Sequence, residues 1–365
     1  MKTLPVVLVG LMACLAIGVS TARAQISYSL TDLGVVKDMQ TSEVFAVNNQ
    51  GHVAGTGYSE LESCAFHYFN TSMEDSGGLN SRGFGISSTN LVVGDNFFTT
   101  GPMLVSHAAI FSGGVAKNLG VLKGQAYSRA NGANAIGQVV GFSGLNRDSS
   151  ESRAFVWTYR TGMKDIGTLG GSYAQANAIN EAGFITGTSQ TPAMFVTTHA
   201  FIYQPSVTGG QMRDLGVLGG HSSYGMAINA YNHVVGYSTR QANDERVHAF
   251  LHDGKSMNDL GSLGAKGTQS DVSAALGINK LDQVVGYSYL PGVRGMPLQQ
   301  VAFLWSRDGY GGGKMVNLNT LLNATGKNYL LISATAINDN GQIVANAYDK
   351  QNGGPRAVLL TPKGQ

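Results

Sequence analysis

Residues 248–264 read HAFLHDGKSMNDLGSLG. Residues 199–220 repeat the phrase as HAFIYQPSVTGGQMRDLGVLGG, and residues 153–171 as RAFVWTYRTGMKDIGTLGG. Each version holds an apolar run, a glycine-bearing turn and a second short run ending in Asp-Leu-Gly or Asp-Ile-Gly. Two short apolar runs around a tight turn predict a β-hairpin.

A second phrase gives the period. It reads AVNNQGHVAG at Ala46, GISSTNLVVG at Gly85, ANAIGQVVG at Ala133, AINEAGFITG at Ala178, AINAYNHVVG at Ala227, GINKLDQVVG at Gly277 and AINDNGQIVA at Ala336. These are seven copies, mostly 46 to 50 residues apart, with a shorter first interval and a longer last one. A repeat of that length signals a propeller or a solenoid. Each copy has four β-like runs and no sustained 3.6-residue periodicity, so the expected fold is all-β, a seven-bladed propeller of four-stranded blades.

The turn residues agree. Asn48, Asn134, Asn180, Asn229, Asn279 and Asn338 share one repeat position, with Ser87 in the second copy. Three residues later stand Gly51, Asn90, Gly137, Gly183, Asn232, Asp282 and Gly341. Only Gly, Asn and Asp occur there, as a left-handed turn residue requires. The first asparagine is expected to cap its own hairpin turn. The Ala- and Gly-rich run before it suits the crowded innermost strand; VVGYS, HAFLW and the run before DLG follow outward. The LGG segment then leads into the next blade.

The ends complement each other. Residues 26–34, ISYSLTDLG, form an outer strand with no blade of its own, and residues 356–364, RAVLLTPKG, a third strand with no fourth. Together they complete one blade and close the ring, removing the sheet edges that invite aggregation.

This pattern resembles the bacterial HAF-repeat family of extracellular proteins over essentially the whole chain after residue 24. HAF is literal only at His199 and His248; His107 begins HAA, and the other copies open with Cys64, Arg153, Val301 and Arg356. The resemblance implies export and a propeller-like fold. It supplies no reaction, ligand or catalytic residue.

Composition fits. Charged residues are 13% of the chain against a usual quarter, and there are 50 glycines, which suits many short strands and tight turns. Residues 1–24 read as a secretory signal peptide: Lys2, an apolar stretch, and the small-x-small sequence ARA before Gln25. The domain is then 25–365, secreted or periplasmic. The alternative is a lipoprotein signal with Cys14 lipidated. Without Lys2 and Arg23 the 24 basic residues fall to 22, equal to the 22 acidic ones, so charge gives no case for nucleic acid. No second long apolar stretch predicts a membrane span. Cys64 is then the only cysteine, so no intramolecular disulfide is expected.

Catalytic chemistry is hard to find. His107, His199 and His248 share a strand-entry position and are expected to hydrogen-bond a neighbouring loop; His52 and His233 are expected to be solvated in hairpin turns. No GxSxG elbow is present. Asp165, Asp214 and Asp259 recur in DIG or DLG, which marks a turn bond rather than an active site that would occur once. Trp157 and Trp305 are equivalent strand residues expected in the core. No metal, cofactor or catalytic residue is predicted.

What remains is the face carrying the LGG links and the loops between second and third strands. Near the channel mouth there we expect Lys123, Gln125, Tyr127, Ser172, Tyr173, His221, Ser222 and Tyr224. Tyrosines beside hydroxyls and amides suit a glycan or a protein partner. The expected function is a monomeric, non-catalytic binding module for an extracellular or envelope ligand. The alternatives are a hydrolase or lyase acting on an extracellular polymer, and a structural envelope protein.

Overall fold

The computed structural model describes residues 26–363, apart from 101–102, 147–149, 193–196, 208, 293–295 and 309–311. The expected signal segment 1–24, with Cys14, and Gln25 lie outside the described residues. Among the described residues, twenty-eight strands form seven four-stranded antiparallel sheets. Blades 1 to 6 take residues 41–79, 81–118, 127–165, 174–214, 223–259 and 273–317, each with its strands in chain order. Blade 7 takes residues 329–363, and its fourth strand is Ser27–Asp32, paired antiparallel with Pro355–Lys363 from Ser27 opposite Lys363 to Asp32 opposite Val358. The ring therefore closes through the N-terminal strand. Among the described residues, no helix is long and apolar enough to cross a membrane.

The repeat phrases now have physical causes. The HAF aromatic and its counterparts Phe66, Phe155, Phe201, Phe250 and Phe303 are fully buried and pack in clusters that join neighbouring blades. The DLG aspartate caps its own turn: Asp214 Oδ1 accepts from Gly216 N at 2.7 Å and Asp259 Oδ1 from Gly261 N at 2.8 Å. Those glycines have φ of +76° and +74°, where a side chain would be strained. The same carboxylate also holds the residue opening HAF, through its other oxygen in Asp214 and Asp165 and through Oδ1 again in Asp259. His199 lies 2.7 Å from Asp214, His248 2.8 Å from Asp259, and Arg153 2.9 Å from Asp165. The expected loop partner of these histidines is thus the outer strand of their own blade. His248 is held at its second nitrogen too, by Asp271 at 2.9 Å.

A serine opening many first strands ties blades together. Ser273 Oγ donates to Gly261 O and accepts from Ala249 N at 2.9 Å, so it grips both DLG and HAF of the preceding blade. Ser42, Ser128 and Ser223 make the same pair of bonds.

The turn asparagines do more than the expected capping. Asn180 Oδ1 accepts from Ala182 N and Phe184 N at 3.1 and 3.0 Å, while Nδ2 donates to Asn229 O of the next blade at 3.0 Å. Asn48, Asn134, Asn229, Asn279 and Asn338 likewise donate to the next blade's carbonyl, and Asn338 closes the circle on Asn48 O at 2.8 Å. Six of the seven blade junctions are latched in this way. Ser87 Oγ caps its turn by accepting from Thr89 N and Leu91 N, but it has no amide to reach blade 3.

Candidate functional site

The first strands of successive blades touch all the way round, including blade 7 against blade 1, and enclose a central channel. Each of these strands bulges at its middle. In blades 1 to 6 the second strand carries the glycine of VVG or its counterpart there, since a Cβ on Gly236 would stand 1.8 Å from Tyr224 O and one on Gly94 1.7 Å from Arg82 O; blade 7 bulges with Ala345 in its place. In blade 7 a second residue, Ile332, also leaves the ladder nearer the strand's start; at the shared position one residue per first strand falls out. These are Phe45, Phe84, Asn131, Asn177, Met226, Leu276 and Thr335. All seven line the channel, whose cavity is about 690 Å³.

The two ends of the cavity differ. Beyond the bulges, toward the asparagine turns, the wall is apolar, with Ile86, Ile179, Ile278 and Ile337. Turn tips reach across that end. Glu181 accepts from Ser88 Oγ at 2.7 Å and from Ala135 N at 2.8 Å, spanning blades 2 to 4. Asp339 accepts from Lys280 N at 2.8 Å and Asn49 Nδ2 at 2.9 Å, spanning blades 6, 7 and 1.

Toward the LGG links the wall is polar and aromatic, with Arg129, Tyr173, Gln175, Thr188, Tyr224 and Tyr237. Tyr224 and Tyr237 stack at 4.7 Å between ring centroids, 21° from parallel. Burial and the neighbouring Tyr224 push the Tyr173 hydroxyl up to about 12, and burial with three neighbouring tyrosines raises Tyr237 further. Both hydroxyls stay protonated and able to donate. In the first strand of blade 3, beside blade 4, Arg129 lies 4.2 Å over the Phe84 ring, and its Nε donates to Asn131 Oδ1 at 3.2 Å.

Of the eight residues the sequence pointed to, Tyr173 and Tyr224 are brought together in this wall. Tyr127 is 6% exposed, with its hydroxyl donating to Asp95 Oδ2 at 3.0 Å; Asp95 is already in a buried pair with Arg82. Lys123, Ser172 and His221 are exposed on the links, and Gln125 and Ser222 half-buried there. Ser172 bonds Gln190, while His221 and Ser222 present backbone N–H groups to Thr239 Oγ1. The channel lining does not include these five. Arg129, Gln175, Thr188, Tyr237 and the bulge residues were missed.

The remaining reactive candidates are structurally employed. Cys64 is buried, and burial together with Asp75 pushes its thiol up to about 12. His233 is not simply solvated: it lies 2.7 Å from Asp282, which Arg307 also holds. His52 faces His67 at 3.0 Å. Trp157 and Trp305 are each 6% exposed, in inter-blade clusters. Among the described residues, no three His, Cys, Asp or Glu side chains are placed together as a metal site would need.

A family model described as "Protein of unknown function (DUF3466)" matches residues 172–356. Among solved structures, the chain is similar to the β-propeller domain of the Trilobed protease from Pyrococcus furiosus, at 12% identity, over 89% of this chain and 99% of that one, with a TM-score of 0.49. No curated protein matches the chain.

Proposed function

Since the chain belongs to the DUF3466 family, whose description names no activity, its function has to be read from the channel, and we propose that it is an exported, non-catalytic binding module for a glycan. The glycan enters from the side of the LGG links. The observation that carries this is the stacked pair Tyr224–Tyr237 beside Tyr173, Gln175 and Thr188 in a concave cavity. Aromatic faces cover the apolar face of a sugar ring, and protonated phenols and amides match its hydroxyls. A cavity of about 690 Å³ falls within the size range of small-ligand pockets. Export rests on the leader at residues 1–24 and on the HAF-type repeat pattern.

A screen of the purified chain against envelope and extracellular oligosaccharides, followed by calorimetry on the hits, tests the reading. Tyr224→Ala and Tyr237→Ala should each weaken binding at least tenfold, a loss of about 1.4 kcal/mol. Protein recovered from the producing cell should begin at Gln25. Binding that survives both tyrosine variants, or cleavage of the bound oligosaccharide, would reject a non-catalytic channel site.

A further inference from the structure

The channel wall carries its charge in one place. Arg129 is the only charged side chain among the described residues of the lining. The same strand position, two before the bulge, is Glu43 in blade 1 and Arg82 in blade 2. Neither lines the cavity, and Arg82 is buried in its pair with Asp95. Arg129 is held in place. Its guanidinium lies 4.2 Å from the centre of the Phe84 ring and 5.5 Å from that of Phe142. Its Nε donates to Asn131 Oδ1, and Asn131 Nδ2 donates to Ala176 O of blade 4 at 2.9 Å. That chain of bonds leads into the first strand of blade 4, Ala174–Ile179, where Gln175 lines the cavity and Tyr173 directly precedes the strand. Burial raises the Tyr173 hydroxyl, Tyr224 adds to the rise and the Arg129 charge opposes it, so the cation is felt at the tyrosine wall.

We propose that the glycan of the channel is acidic and that Arg129 selects it, meeting an anionic substituent of the sugar while the tyrosines cover the ring. This rests on the reading of the channel as a glycan site and names the class of glycan. Arg129, Tyr173, Tyr224 and Tyr237 share the half of the cavity toward the LGG links, the side on which the glycan enters. A fixed cation in a cleft with apolar walls attracts an anion more strongly than one on an open surface, because less water screens it. The described lining holds no carboxylate to repel that anion. A planar guanidinium meets two oxygens of one anion through parallel N–H bonds. A uronic acid carboxylate and a sulfate ester each present such a pair of oxygens, so the shared chemistry is an anionic oxygen pair carried on a sugar.

Calorimetry of the purified chain with paired oligosaccharides is the test. Oligogalacturonate and oligoglucuronate are compared with their methyl esters, and sulfated oligogalactose with the unsulfated sugar. At least one anionic member should bind about tenfold or more tightly than its neutral counterpart, and the pair that shows the difference identifies the group. The preference should shrink as NaCl rises. Arg129→Gln should abolish it, and Arg129→Lys, which keeps the charge and loses the fork, should retain only part of it. A purely structural role for Arg129 would not move the ratio of acid to ester, and the parent ratio is measured without relying on the folding of either variant. Neutral members bound as tightly as the anionic ones would overturn the proposal and leave the glycan reading standing. Binding of no member of any pair would overturn both. A preference that survives Arg129→Gln, or polyglutamate bound more tightly than any of the sugars, would also overturn the proposal.

Discussion

The asparagine ring makes a sharp prediction about how the blades hold together. In Asn180→Ala four hydrogen bonds disappear: two from Ala182 N and Phe184 N to Oδ1, and two from Nδ2 to Asn229 O and Asn232 Oδ1. Asn180 is only 7% exposed, so water replaces few of them. A typical bond contributes about 1 kcal/mol net, and a buried polar group left without a partner costs about 1–3 kcal/mol. The turn amides can regain some solvent, which brings the expected loss to about 2–4 kcal/mol. Asn180→Asp separates the two roles. It keeps the oxygen that caps the turn and removes the donor that reaches blade 5, setting a carboxylate against Asn229 O. It should be no more stable than Asn180→Ala. The converse experiment uses the natural exception. Ser87→Asn supplies the missing amide at the junction of blades 2 and 3 and should stabilise by about 0.5–1.5 kcal/mol. Urea unfolding of all three variants gives the answer. If Asn180→Ala stays within about 0.5 kcal/mol of the parent, which is the range of an ordinary surface change, or if Asn180→Asp matches the parent, the latch contributes nothing.

Ring closure and the half-buried His67 each carry a further outcome. A chain lacking residues 26–32 loses the fully buried Tyr28, the partly buried Ile26 and Leu30, and six cross-strand pairs. At about 1.5–3 kcal/mol for a fully buried large side chain, the loss should reach about 3–6 kcal/mol and leave an open edge that aggregates; melting at the parent temperature would contradict closure by this strand. The second concerns acid. Burial, and after it His52, depresses His67 from 6.5 to about 4 in the fold, so as the pH falls through 6.5 the unfolded chain takes up the proton first. Stability should drop between about pH 6.5 and pH 4 and level off below, by about 1–2 kcal/mol for a half-buried, partly solvent-screened ring. His67→Gln, measured by urea unfolding, should show a shallower pH dependence than the parent; equal slopes would refute the assignment.

The parts of the fold that were legible are those set by backbone conformation. Gly51, Asn90, Asn232 and Asp282 were readable because φ values of +80°, +67°, +64° and +55° admit few residue types. The strand Ser27–Asp32 was readable because an outer-strand phrase without its blade has nowhere else to pair. The asparagines were legible as turn caps and illegible as latches, because a cap is local and a latch depends on the next blade standing one hydrogen bond away. The same limit applies to His52, whose partner His67 sits 15 residues along the chain and in another strand.

The channel wall failed to show for a different reason, and its signal was present. The bulged residue that lines the channel stands three positions before the turn asparagine or its serine: Phe45 before Asn48, Phe84 before Ser87, Asn131 before Asn134, and so on to Thr335 before Asn338. The two positions between hold only Ala, Gly, Ile or Val, constrained by contact with neighbouring first strands. The bulged position alone ranges over Phe, Asn, Met, Leu and Thr. A variable residue inside a constrained phrase is one whose side chain meets no repeating neighbour, and in a closed ring the only such place is the axis. Link residues such as Lys123 and His221 vary as well, yet they vary in solvent, where nothing converges. Variation within the packed strand, rather than in the loops after it, marks the residues that face the channel.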